Sequence, residues 1–335
     1  MTVQITIIGL GQIGSSIGLA LKAGKLNAHL VGHDKEPGIA KEAQKAGAVD
    51  DVKYNLPASI RDAKLVILAI PLSGIRQTLE IIAPDLQDGT VVLDTAPSKA
   101  TVAAWAQELL PEGRYYIGLS PAINPDYLHG VEYGVGSARV DLFKNGLFLV
   151  NANPGTPGEA VNLATDLIGL LGAQALISDS VEADGLLAYT HILPQLASAV
   201  LLDATVNQPG WLDARKLAAR PYASATAALG AHDEVNSLSE MTLGNRESIL
   251  RVIDTLMVSL HQLRDAIHDG DDKALNEFLA GALKAREQWI QDRIRADWSK
   301  NEKAEDAVGK VETFGERLNH MFLGRFGERS GKRNK

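Results

Sequence analysis

Ile5-Thr-Ile-Ile-Gly-Leu-Gly-Gln-Ile-Gly14 carries the signal that decides the fold. A short apolar run reads as a buried strand, and it ends at a glycine that permits a tight turn. Gly11 lets a phosphate group approach the backbone, and Gly14 lets the following helix, Ser15 to Ala23, pack close to the strand. Gln12 and Ile13 occupy the variable positions between them. The helix start then offers N–H groups to a pyrophosphate.

Working outward, Asp34 lies twenty residues beyond Gly14, at the end of a second apolar run, Leu30-Val31. A carboxylate there accepts the two ribose hydroxyls of NAD and repels the 2'-phosphate of NADP. His33 and Lys35 flank it and soften that preference. NAD is therefore the expected cofactor, with NADP the lesser alternative. Further apolar runs follow at Leu65 to Ile70, Val91 to Leu93, Tyr116 to Leu119 and Leu147 to Val150. Stretches of helical character, such as Ile39 to Ala46 and Ala100 to Leu110, lie between them. Near-continuous apolar strands alternating with helices predict a parallel sheet covered on both faces, a Rossmann-type α/β domain. Pro71 sits at the carboxyl end of one strand, where the crevice of such a sheet lies.

The alternation stops in the turn-rich Asn151 to Gly158, and no further strand is expected beyond residue 158. Glu159 to Leu171, Glu182 to Val206, Glu234 to His268, Asp272 to Asp297 and Ala304 to Phe326 carry helical periodicity. The expected organisation is a dinucleotide-binding domain over 1–156, an all-α domain over 157–326, and a basic flexible tail over 327–335. The helices are more apolar than one small bundle needs, which implies a second subunit against them, a homodimer. The stretch Leu186 to Leu202 is broken by Thr190, His191, Gln195 and Ser198, and reads as a buried helix rather than a membrane span.

The net charge of −8 argues against general nucleic-acid affinity. The lack of cysteine excludes disulfides and thiolate chemistry. Met1 to Gln4 has neither the basic flank nor the cleavage site of a signal peptide, so a cytoplasmic location is expected. No histidine and carboxylate pair has metal-ligand spacing, and no metal is expected. Hydride transfer to a nicotinamide needs an acid or base on the substrate side, a small molecule. His191, within a long apolar helix, is either a packed core residue or a residue of the cleft. Lys99, Ser98 and Ser120 follow strands. Arg215, Lys216, Arg220 and Arg246 are candidates for substrate carboxylates, which Arg grips bidentately.

The glycine fingerprint, Gly32-His-Asp34, Leu68-Ala-Ile-Pro71, Asp94 to Lys99, Gly118 to Asn124, Ala183-Asp184 through Gln195, and Asn245-Arg-Glu247 resemble the prephenate and arogenate dehydrogenases of tyrosine biosynthesis. The resemblance runs over nearly the whole chain. It implies a Rossmann domain, a helical dimerisation domain, and NAD(P)-dependent oxidation of a ring hydroxyl with loss of the neighbouring carboxylate as carbon dioxide. The departures fall at the implied site. The family's Asp-x-Gly-Ser-x-Lys stands here as Asp94-Thr-Ala-Pro-Ser-Lys99, so Pro97 replaces the serine. Its Gly-x-His-Pro is Gly118-Leu-Ser-Pro121, so Ser120 replaces the histidine. Its Ser-His-Leu-Pro-His is His191-Ile-Leu-Pro-Gln195, with His191 at the serine position. A serine hydroxyl binds well but is a poor base at neutral pH. The implied catalytic set is His191, Ser120 and Lys99. A related carboxylated cyclic substrate, or cofactor binding without turnover, are the alternatives.

Overall fold

A computed structural model describes residues 2–130, 134–229 and 235–298. The helix expected over Ala304 to Phe326 and the tail 327–335 lie outside the described residues. The described residues divide into two compact units, one running to Ala183 and the other starting at Asp184.

The first unit is built on β1 (Val3–Ile8), β2 (Ala28–His33), β3 (Asp51–Val52), β4 (Ala63–Leu68), β5 (Val91–Asp94), β6 (Tyr115–Ala122), β7 (Leu147–Ala152) and β8 (Gln174–Ile177). They form one sheet in the order β3-β2-β1-β4-β5-β6-β7-β8. The order reverses between β1 and β4, the switch point at which such sheets open a ligand crevice. Six helices connect the strands: α1 (Gln12–Ala23), α2 (Pro37–Lys45), α3 (Leu56–Ile60), α4 (Leu72–Ile82), α5 (Lys99–Leu109) and α6 (Gly158–Leu170). Ile5, Ile7, Leu65, Ile67, Val91 and Leu93 share one core with α1, α2 and α6. Strand side chains alternate between faces, so Val66, Leu68 and Val92 serve the other face, and α4 and α5 bury Ile75, Leu79, Val102 and Ala106.

Three sequence expectations are corrected here. The sheet is not wholly parallel, because β7 runs antiparallel to β6, with Ser120 opposite Leu149. The described residues between those strands hold only short 3-10 turns, and among them no crossover helix returns the chain to the other end of the sheet. A strand does follow residue 158: β7, α6 and β8 form a further parallel unit. It escapes periodicity because β8 is a short edge strand exposed along most of its length. The turn-rich 151–158 is therefore the β7–α6 loop, and the division between units falls at Ala183/Asp184 rather than at 156/157.

The second unit holds only helices among its described residues. The first, α7 (Ser180–Leu187), starts in the sheet unit and runs into a π-helical turn, Ala188–Ile192. Then come α8 (Leu193–Val206), α9 (Trp211–Leu217), α10 (Arg220–Thr226), α11 (Val235–Gly244), α12 (Arg246–His268) and α13 (Asp272–Arg295). The single helix expected over Glu234 to His268 breaks at Asn245. Its buried amide donates to the Asp184 carbonyl at 2.6 Å, and its backbone leaves the helical region. Gly270 turns α12 into α13 with a positive φ, and Asp271 caps α13 by accepting the Ala274 N–H. The apolar run Ser180–Val206 has the length and composition to cross a membrane, and only 22% of its most apolar window is buried. The run expected to be a buried helix is thus mostly uncovered within the single chain.

Candidate active site

The fingerprint has the geometry its residue types demand. Gly9 adopts a φ of +89°, and a β-carbon there would stand 2.3 Å from the Ala69 carbonyl oxygen. One on Gly14 would stand 1.9 Å from the Gly9 oxygen. Both positions exclude any side chain, because strand, turn and helix already touch. A β-carbon on Gly11 would meet nothing within 4 Å, which leaves the start of α1 open, and no side chain caps that helix. An open helix N-terminus suits a pyrophosphate. Asp34 is tied to the same turn: Leu10 N–H donates to Oδ2 at 2.8 Å, and Glu36 N–H to Oδ1 at 2.9 Å. Each carboxylate oxygen keeps a lone pair for a ribose hydroxyl. These residues fit a dinucleotide. Gln12 turns its amide to the Ser137 carbonyl at 3.4 Å. Ile13 packs against the core, and Pro71 precedes α4 at the end of β4.

Beside this crevice, at the carboxyl end of β5 and the middle of β6, lies a buried polar cluster. Lys99 and Asp94 are fully buried, and the Lys99 ammonium stands 3.0 Å from both Asp94 oxygens. It also donates to the Leu119 carbonyl at 2.8 Å. The Tyr116 hydroxyl donates to Asp94 Oδ2, and the Ala96 N–H to Oδ1 at 2.9 Å. Burial pushes the Asp94 carboxyl up, and Lys99, Tyr116 and the Ala96 N–H pull against it. The expectation that Lys99 serves in the cleft is corrected: its ammonium is spent on the pair and on Leu119, with no exposed surface. Ser98 is likewise 1% exposed and turns its hydroxyl to Thr101, so it does not face a ligand. Ser120 keeps 7% of its surface, and its hydroxyl donates to the Ala96 carbonyl at 3.1 Å.

Sequence reasoning passed over three members of this cluster. Asp94 stands in the Asp94 to Lys99 motif without a separate role. Nothing in the chain marks Tyr116, whose partner lies 22 residues away. Gly118 reads as a family position, and its physical reason is steric. A β-carbon there would meet Lys99 Cδ at 2.8 Å and the Tyr116 hydroxyl at 2.9 Å.

In the helical unit, His191 is half-buried within the π turn. Pro194 cannot donate to the Thr190 carbonyl, and Leu193 N–H reaches back five residues to Ala188. The Gln195 amide donates to the His191 carbonyl at 3.1 Å. Arg215 and Lys216 lie exposed on α9, where Lys216 pairs with Asp213 at 2.7 Å. Arg220 and Arg246 are exposed at the first residues of α10 and α12. Among the described residues, no group of three or more His, Asp or Glu side chains has the arrangement to hold a metal ion.

Residues 17–177 match the family model described as the nucleotide-binding domain of prephenate dehydrogenase. The chain is similar to a prephenate dehydrogenase of Lactococcus lactis, 27% identical over 293 residues, 85% of this chain and 77% of that one. It is similar to a cyclohexadienyl dehydrogenase of Zymomonas mobilis, 27% identical over 84% of this chain and 94% of that one. The fold is that of a prephenate dehydrogenase from A. aeolicus solved with hydroxyphenyl propionate and NAD+: TM-score 0.75, 18% identity, 86% of this chain and 99% of that chain. Synechocystis arogenate dehydrogenase has the same fold: TM-score 0.67, 22% identity, 86% of this chain and 100% of that chain.

Proposed function

We propose that the chain is a member of the prephenate and arogenate dehydrogenase family, and that it oxidises the ring hydroxyl of prephenate or arogenate with NAD, with loss of the adjacent carboxylate. The observation that carries the reading is the intact dinucleotide turn, Gly9, Gly11, Gly14 and Asp34, in a chain that aligns with such dehydrogenases over more than four fifths of its length. The cofactor, when bound, accepts hydride at its nicotinamide. The carbinol carbon of the substrate gives up that hydride. The bond to the ring carboxylate then breaks, carbon dioxide leaves, and the electron pair left behind completes the aromatic ring.

His191 is the proposed base, borrowing the hydroxyl proton and returning it to the phenol oxygen. A π turn is a frequent setting for a functional side chain, and an imidazole nitrogen can accept a proton. Ser120 is proposed to bind the substrate. Arg215, Lys216, Arg220 and Arg246 are proposed for its carboxylates. Asp34 favours NAD over NADP for the reason given above. We further propose a cytoplasmic homodimer formed through the helical unit. Leu250, Met257, Leu260 and Ile267 form a strip along α12 at spacings of seven, three and seven, each at least half exposed. Such a strip is the seam of a helix pair.

The test is absorbance at 340 nm with purified protein, NAD or NADP, and prephenate or arogenate. Formation of reduced cofactor with one of these substrates is the expected result. Measurable NAD binding with no turnover would sink the reading. It would make the replacements at Ser120 and Gln195 decisive and favour another carboxylated cyclic substrate or a non-catalytic role.

A further inference from the structure

One ion pair governs both neighbours of Ser120. Lys99 holds the carbonyl of Leu119, the residue before it. Asp94 holds the N–H of Ala96, and the carbonyl of Ala96 accepts the Ser120 hydroxyl proton. Tyr116 donates to the same carboxylate, and the missing side chain at Gly118 leaves the cluster its room. A carbonyl can only accept, and a hydroxyl has one proton. That proton is committed to Ala96, so Ser120 can meet a ligand only through its lone pairs. A serine left to rotate would offer a donor or an acceptor equally well.

We propose that the buried Asp94–Lys99–Tyr116 network is a positioning device that presents Ser120 as a hydrogen-bond acceptor to a donor group on the substrate. Resting on the reading above, that donor is the ring hydroxyl that undergoes oxidation. Asp94, Lys99 and Tyr116 touch neither substrate nor cofactor and act through Ser120. Ser120 itself orients the hydroxyl in the bound complex and does not take its proton, which leaves Ser120 for the proposed base as the hydride departs. The arrangement also selects substrates, because a ring bearing only an acceptor at that position would set two lone pairs against each other.

The test uses full-length protein saturated with NAD, titrated calorimetrically with 3-(4-hydroxyphenyl)propionate and with 3-phenylpropionate, which differ by the ring hydroxyl alone. The wild type is expected to prefer the hydroxylated compound about tenfold. Ser120→Ala abolishes that preference. So does the double variant Asp94→Leu with Lys99→Met, which removes the pair without stranding a buried charge. Adding Ser120→Ala to the double variant changes nothing further. NAD affinity stays within about threefold throughout, which a general loss of fold would not allow. Tyr116→Phe deletes one donor at constant shape and lowers the preference partway, and it decides the matter should the double variant not fold. A wild type without the preference, or network variants that keep it, overturns the proposal. Turnover at 340 nm without hydroxyl preference overturns the positioning role alone. Preference without turnover overturns the oxidation reading alone.

Discussion

Gly118 shows at the scale of one residue how a missing side chain supports a charge. The 2.8 Å and 2.9 Å approaches to Lys99 and Tyr116 leave no room for a methyl group. Gly118→Ala is expected to cost about 1–3 kcal/mol by overpacking, read as a lower midpoint in denaturant, with NAD affinity little changed. Lys99→Met strands Asp94 in a buried site and is expected to cost about 3–5 kcal/mol in the same measurement. Asp34→Ala removes the acceptor of two backbone N–H groups and the partner of the ribose. NAD should then bind about tenfold or more weakly, and its margin over NADP should narrow, in parallel titrations of both cofactors. Unchanged NAD affinity would remove Asp34 from the site. These residues differ in how far the chain announces them. Gly9, Gly11, Gly14 and Asp34 are legible because their spacing is local and their chemistry belongs to one turn. Asp94 and Tyr116 are not, because their partnership comes from the register of β5 against β6, which pairs Asp94 with Gly118.

At the scale of elements, strands buried on both faces announce themselves as unbroken apolar runs, and β1, β2 and β4 to β7 were legible for that reason. β8 was not, since an exposed edge strand needs no such run. The antiparallel turn of β7 was equally hidden, because strand direction follows from the connection and not from the strand's own composition. Helix breaks are invisible to periodicity when a single side chain makes them, as Asn245 does between α11 and α12. Asp50 ties elements together through polar contacts: it accepts the Leu30 N–H of β2 and pairs with Lys22 of α1. Burial works to raise its carboxyl pKa, yet the Lys22 pair and the Leu30 N–H outweigh burial and hold it below the usual carboxylate range. A depressed folded pKa contributes stability above the unfolded value, and that stability is lost as pH falls through the folded value. Asp50→Asn should therefore flatten the acid limb of stability below about pH 4, measured by thermal melts across pH.

The whole molecule presents an imbalance between its two units. The sheet unit buries its apolar strands on both faces, whereas the helical unit leaves Val200, Leu217, Leu243 and the α12 strip in the open. A single chain with so much uncovered apolar surface is expected to associate. Sedimentation should give twice the 35.8 kDa chain mass, and Met257→Glu should shift the equilibrium toward single chains. A wild type that sediments as one chain at micromolar concentration would refute the dimer.

The depth at which Lys99 is held also changes how the protein answers to reagents. An amine-acylating ester marks surface lysines in the native state but has no route to an ammonium with no exposed surface. Modification at residue 99 must wait for an opening that lifts the start of α5 away from the sheet. Peptide mapping of that one site over time would clock that opening, using a label the chain already carries.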